Sequence, residues 1–325
     1  LKDFMNWVSS DNKRTKYKFL LEQYGYEKDD LEEIPMFTQN MIYYPTNKVR
    51  FYVNKENVIN SGIINSSETD EIVDYIDIDL PKSGLYKNQI LMLDILSKND
   101  WKRPIYFTGG SYKDSEYIWM KDFLQLDGLV YKLVPIKTPV NQENPYQMGR
   151  IEPNRMYNII KKWEWGNSES PDIYHDPETR KNSISFRGNL HRLANEFIDS
   201  GEFEKANQIM DLSFEKMPID FFEYYSLSEP YILSYYRIGE NEKGQNLYKT
   251  IEAKYLDQIK YYSISMKEFE DIFDIGEFAE NIFTYTERYR GLIENQIKLG
   301  NYDFVKSSIK SFVDYTEIFK GIYGE

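Results

Sequence analysis

Apolar positions in the C-terminal half recur with a helical period. From Phe186 to Pro218 they fall at Phe186, Leu190, Leu193, Ala194, Phe197 and Ile198, stop at Gly201, and resume at Phe203, Ala206, Ile209, Met210, Phe214 and Met217. That spacing predicts two amphipathic helices on either side of a glycine turn. The turn phrase recurs as Gly201-Glu202-Phe203-Glu204-Lys205-Ala206, Gly239-Glu240-Asn241-Glu242-Lys243-Gly244 and Gly300-Asn301-Tyr302-Asp303-Phe304-Val305. Glycine ends one helix without a Cβ penalty, and acidic residues open the next at the positive end of its dipole.

Leu190, Leu193, Ala194, Phe197, Ala206, Met210 and Pro218 follow in the order that the tetratricopeptide pattern asks for. The glycines are 38 and 61 residues apart, so the repeats are divergent, and the second gap predicts an extra helix around Met266 to Tyr289. A lone helical hairpin cannot bury its apolar stripe, whereas stacked pairs share a core. A tetratricopeptide-like domain of helical hairpins is expected over residues 183–325.

The N-terminal half alternates differently. Phe4, Trp7 and Val8 predict a short helix with Asp3 as its cap, and an acidic loop follows at Glu27 to Glu33. Val49 to Val53, Ile72 to Leu80, Pro104 to Thr108 and Leu129 to Ile136 read as strands, rich in β-branched and aromatic residues and bounded by turn formers. Helices are expected at Lys87 to Lys98 and about Ser115 to Leu126. The order from Ile72 to Ile136 predicts a crossover unit in a small mixed sheet with flanking helices, an α/β domain over residues 1–137. Residues 138–182 carry Pro139, Pro145, Pro153 and Pro171 and read as a connector with a helical piece at Asn154 to Trp163.

Composition narrows the function classes. The 325 residues are 41% hydrophobic and 29% charged, enough apolar material for a buried core. The net charge is −13, and no basic stripe is visible, which argues against nucleic acid as a partner. No run approaches the roughly 20 apolar residues of a membrane span. Cysteine is absent, and His175 and His191 stand 16 apart, so neither thiolate chemistry nor a histidine-based metal site is expected, and no cofactor is implied. The start at Leu1 leads us to expect a piece of a longer protein. Tyrosine, at 29 residues, is in excess.

Two blocks are distinctive: Leu91-Met92-Leu93-Asp94-Ile95-Leu96-Ser97-Lys98-Asn99-Asp100-Trp101-Lys102-Arg103-Pro104-Ile105-Tyr106-Phe107, and Lys121-Asp122-Phe123-Leu124-Gln125-Leu126-Asp127-Gly128-Leu129-Val130-Tyr131-Lys132-Leu133-Val134-Pro135-Ile136. With Tyr44-Pro45-Thr46-Asn47-Lys48 and Phe51-Tyr52-Val53, they resemble the C-terminal region of a bacterial family of polytopic membrane proteins of uncharacterised function, related to protein O-mannosyltransferases and other membrane glycosyltransferases. The resemblance covers most of residues 1 to about 136. It implies a soluble region on the extracytoplasmic (periplasmic) face, following membrane spans that this chain lacks. The family's Asp-rich stretch is missing here, and no catalytic residue carries over.

Several residues could bind a ligand, each beside a simpler structural reading. Trp101 and Arg103 precede a buried-looking strand, where an indole can stack on a sugar and an arginine fork can grip an anion; they also fit a core Trp and an internal ion pair. Gly109 and Gly110 lie between a strand and a helix, where backbone N–H groups hold anions, yet glycine pairs are ordinary turn punctuation. Trp163 and Trp165 flank Glu164 as in a saccharide site, or pin the connector. His175-Asp176 has the makings of an acid–base couple or a loop turn. Asp77 and Asp79 form an Asp-x-Asp element that some transferases use for a divalent metal, or simply the wet face of a half-buried strand. Of Tyr224, Tyr225, Tyr231, Tyr235 and Tyr236, part must be core; Tyr231 and Tyr235 are candidates to line a groove for a peptide or glycan.

The leading expectation is an extracytoplasmic region that binds or positions a protein or glycan acceptor, or an envelope partner, without catalysing a reaction itself. The alternatives are a free-standing helical-repeat scaffold, and a metal-dependent transferase or hydrolase using Asp77 and Asp79.

Overall fold

The alternating segments form strands and the helically periodic ones form helices, in two units: Leu1–Met156 and Tyr157–Glu325. The structure is a computed structural model that describes residues 1–10, 14–15, 42–43, 46–81, 85–108, 118–140, 148–268 and 275–323.

In the first unit, α1 (Lys2–Ser9) buries Phe4 and Met5; Asp3 lies in its first turn, and the N-cap position expected for it is held by Leu1. Two-residue strands β1 (Arg14–Thr15) and β2 (Ile42–Tyr43) pair antiparallel. β3 (Lys48–Tyr52) is followed by α2 (Lys55–Asn60), whose first turn is capped by the Asn54 side chain accepting from the Asn57 N–H at 3.1 Å. β4 (Tyr75–Asp79) returns antiparallel to β3, with Lys48 opposite Asp79, Arg50 opposite Asp77 and Tyr52 opposite Tyr75. Val49, Phe51, Ile76 and Ile78 point into the core, and the paired polar residues point away, as a period of two requires. α3 (Lys87–Asn99) contributes Leu93 and Leu96 to the same core.

β5 (Tyr106–Thr108), β6 (Leu124–Asp127) and β7 (Val130–Leu133) form an antiparallel sheet in the order β5-β7-β6. This corrects two expectations. The crossover from Ile72 to Ile136 is not made, because β4 bonds to β3 while β7 is flanked by β5 and β6. The helix expected to reach Leu126 is a short 3₁₀ turn, Ile118–Phe123, followed by β6. The reason lies at Asp127-Gly128: Asp127 pairs with Val130, leaving a two-residue turn whose Gly128 has φ +74°, the positive φ that a hairpin turn of the primed type requires at its first position. The acidic loop at Glu27 to Glu33 and the pair Gly109-Gly110 lie outside the described residues.

α4 (Pro153–Ile160) begins at the end of the first unit. In the second unit α5 (Pro177–Asp199) starts with Pro177 in its first turn and Asp176 as N-cap, accepting from the Glu178 and Thr179 N–H groups at 2.9 and 3.1 Å. α6 (Phe203–Lys216), a short α7 (Ile219–Phe222), α8 (Glu229–Arg237), α9 (Asn241–Glu268), α10 (Ile275–Lys298) and α11 (Lys306–Tyr323) follow. The repeated phrase joins α5 to α6, α8 to α9 and α10 to α11, and the helices of each pair pack together.

Each join has the same backbone chemistry. Gly201, Gly239 and Gly300 have φ of +78°, +84° and +80°. The next N–H reaches back five residues to a carbonyl of the last turn: Glu202 to Phe197 at 2.8 Å, Glu240 to Tyr235 at 2.9 Å and Asn301 to Gln296 at 3.0 Å. These are Schellman ends, which satisfy carbonyls that a helix terminus otherwise leaves open. Leu190, Leu193, Ala194, Phe197, Ala206 and Met210 are all fully buried. The helix expected around Met266 to Tyr289 is met in part by α10, from Ile275 to Lys298; it is not an extra one, because α9, which reaches Glu268, and α10 are members of the second and third glycine-joined pairs, both long.

Candidate functional site

Between α9, α10 and the bend after α7 lies a cleft of about 390 Å³, near the lower end of the roughly 300–1,000 Å³ usual for small-molecule sites. Helical spacing builds two of its walls. Tyr255, Gln258 and Tyr262 follow at i, i+3 and i+7 on α9, and Asn281, Thr284, Tyr285 and Arg288 at i, i+3, i+4 and i+7 on α10, so each set lies along one face. The third wall is Glu223 to Ser226. Here Glu223 has φ +55°, ψ −136° and Tyr224 φ +47°, ψ +49°. Two successive non-glycine residues in sparsely populated regions cost about 1–3 kcal/mol each, and such strain gathers at ligand clamps.

The rings touch in offset and edge-on arrangements. Tyr225 meets Tyr255 edge-on with centroids 6.2 Å apart, Tyr255 meets Tyr285 at 5.7 Å, and Tyr262 lies nearly parallel to Tyr285, 17° between planes at 6.0 Å. Behind them the Glu229 carboxylate accepts from the Tyr255 hydroxyl and, at 3.3 Å, from Arg288 Nη1. Burial raises the Glu229 pKa above the usual carboxylate range, with Tyr255 and Arg288 opposing. Burial likewise raises the Tyr225, Tyr255, Tyr262 and Tyr285 hydroxyls, so the cleft presents neutral phenols at physiological pH. Glu223, on the rim, is held by Arg180 at 2.6 Å.

The residues anticipated from sequence are distributed elsewhere in part. Tyr224 and Tyr225 line the cleft. Tyr231 is fully buried, its hydroxyl donating to the Arg187 carbonyl at 2.6 Å, and Tyr235, also buried, bonds Asp211 at 3.0 Å. Neither reaches the cleft, because α8 turns that face into the core. Trp101 is 1% exposed, stacked on Phe51 at 5.0 Å and donating Nε1–H to the Tyr52 carbonyl, so no ring face is open to a ligand. Arg103 is exposed.

Trp163 and Trp165 close on Phe186 at 5.2 and 5.5 Å, fastening the segment before α5 to that helix. His175 bonds the Ser168 carbonyl at 2.9 Å, while Asp176 is spent on the α5 cap. Asp77 is bound in a fork by Arg50 at 2.7 and 3.0 Å, and Asp79 lies 3.2 Å from Lys48. Among the described residues no cluster of three or more potential ligands gathers for a metal ion.

Sequence reasoning missed Tyr255, Gln258, Tyr262, Asn281, Tyr285 and Arg288. The signal was present as seven-residue spacing, 255 to 262 and 281 to 288, on helices whose other faces are apolar.

Residues 1–155 match the family model of TMEM260-associated domain 2. The match ends beside the boundary of the first unit at Met156 and leaves the helical unit outside it. No curated protein and no solved structure matches the chain. Among the described residues no helix is long and apolar enough to cross a membrane.

Proposed function

We propose that this chain is a binding and positioning module, without catalytic activity of its own, belonging to the extracytoplasmic side of a bacterial membrane glycosyltransferase-like protein. In this reading the helical unit is tetratricopeptide-like and holds a protein or glycan acceptor near a membrane-embedded centre. The observation that carries it is the tyrosine cleft: strained backbone, polar side chains and aromatic rings lining one concave site are what acceptor capture needs. The family match supports the membrane link only through its name, a domain associated with TMEM260.

Affinity capture tests the reading. Immobilised chain should retain a glycan or glycoprotein from an envelope extract, and retention should fall about tenfold or more in Tyr285→Ala, since losing an aromatic anchor costs on the order of 1–2 kcal/mol. Absence of any retained component with the chain at high micromolar concentration would sink it. A free-standing repeat scaffold is the second reading, favoured by the three glycine-capped helix pairs. It requires a reading frame with no membrane spans upstream of Leu1.

A further inference from the structure

The charge balance of the cleft narrows its ligand. Glu223 is already paired with Arg180 at 2.6 Å, and Glu229 already takes Arg288 and the Tyr255 hydroxyl. A cation such as a quaternary ammonium or lysine head would meet aromatic faces, but with Arg288 on the rim and no uncompensated carboxylate to receive it. An anion would have to share Arg288 with the Glu229 carboxylate, which already sits 3.3 Å from Nη1 and repels a second negative charge on the same guanidinium. What the lining offers besides is neutral: phenol rings, the Gln258 amide, the Thr284 hydroxyl, and the Asn281 amide, whose Nδ2 donates to the Glu277 carbonyl at 2.9 Å and whose Oδ1 is left to accept.

Peptide docking is also poorly served. The lining holds no aliphatic side chain to seat an apolar anchor, and two of its walls are helices, whose backbone groups are bonded internally and offer no strand edge to an extended chain. A pyranose matches better. Its axial C–H face lies flat on an aromatic ring, and its hydroxyls each give and accept hydrogen bonds, as side-chain amides do in return.

We propose that the cleft between α9 and α10 binds an uncharged saccharide of one or two rings, with Tyr262 and Tyr285 as the stacking platform and Gln258 and Asn281 reading the hydroxyls. This rests on the binding-module reading and commits it to a glycan acceptor.

The test is saturation-transfer NMR and calorimetry on the full 325-residue chain. The probes are methyl glycosides of glucose, galactose, mannose and N-acetylglucosamine, with cellobiose, and with choline and glucuronate as charged comparators. At least one neutral sugar should bind saturably, with transfer strongest to its ring C–H protons. Tyr285→Ala should weaken it about tenfold or more, while Tyr285→Phe keeps the ring and most of the affinity. Should Tyr285→Ala lose its helical circular dichroism, Thr284→Trp serves instead, filling the cleft from an exposed helix position and abolishing binding.

No saturable neutral sugar, tighter binding of choline or glucuronate, or binding indifferent to both cleft variants overturns the proposal. A glycan-free protein captured from the envelope and displaced by Thr284→Trp would overturn the saccharide assignment and leave the positioning role standing.

Discussion

Single side chains carry most of the electrostatic risk in this protein. Lys132 on β7 is wholly enclosed, 3.3 Å from the equally enclosed Asp127, which also binds Arg155 Nε at 3.0 Å and Gln125 Nε2 at 2.8 Å. Burial pushes the Lys132 ammonium down to about 8, with Asp127 pulling the other way. Removing that carboxylate strands two cations, so Asp127→Ala should cost about 3–5 kcal/mol in chemical denaturation. An unchanged midpoint would show that the cluster is wetter than it looks.

His191 on α5 is a second case. Burial lowers its pKa from 6.5 to about 4, helped by the charge of Arg237 and opposed by a hydrogen bond that the imidazole donates to the Pro230 carbonyl. Between those values the unfolded chain takes up a proton that the folded chain refuses. The neutral imidazole's contribution is therefore fully present above pH 6.5 and is lost as pH falls towards 4, at up to about 1.4 kcal/mol per pH unit. His191→Gln should flatten that part of the stability profile between pH 7 and 5, measured by urea denaturation.

Elements were legible where one interaction dominates. The glycine phrases announce helix ends because a left-handed residue followed by an N–H that bonds five residues back is a local demand. Gly201, at φ +78° with open space around its Cα, pays only a backbone penalty when replaced, so Gly201→Ala should destabilise by about 1 kcal/mol. Gly188 lies inside α5 with equal room, and Gly188→Ala should instead stabilise by about 0.5–1 kcal/mol. Equal midpoints for the two variants would refute the Schellman account.

The misread element shows the opposite situation. Leu124, Gln125 and Leu126 suit a helix as well as a strand, and all three are buried. Their strand state is set by the Asp127-Gly128 turn and by the edge that β7 offers, a non-local pairing that apolar spacing does not display.

On the scale of the whole molecule, the family match and the unit boundary fall together near residue 156. Residues 157–325 should therefore fold alone, with a cooperative transition and a strongly helical circular dichroism spectrum. A broad, non-cooperative melt would mean that the helical unit depends on the first. The sequence by itself determined the helix pairs, their glycine ends, the half-buried strands and the lack of cysteine chemistry, because each follows from periodicity, backbone geometry or composition. Tertiary structure decided the strand pairing and the site. Tyr225, Tyr255, Tyr262, Tyr285 and Arg288 stand up to 63 residues apart and meet only because α9 and α10 pack face to face. Among 29 tyrosines, only packing separates those sealed in the core, such as Tyr231, from those left facing a cleft.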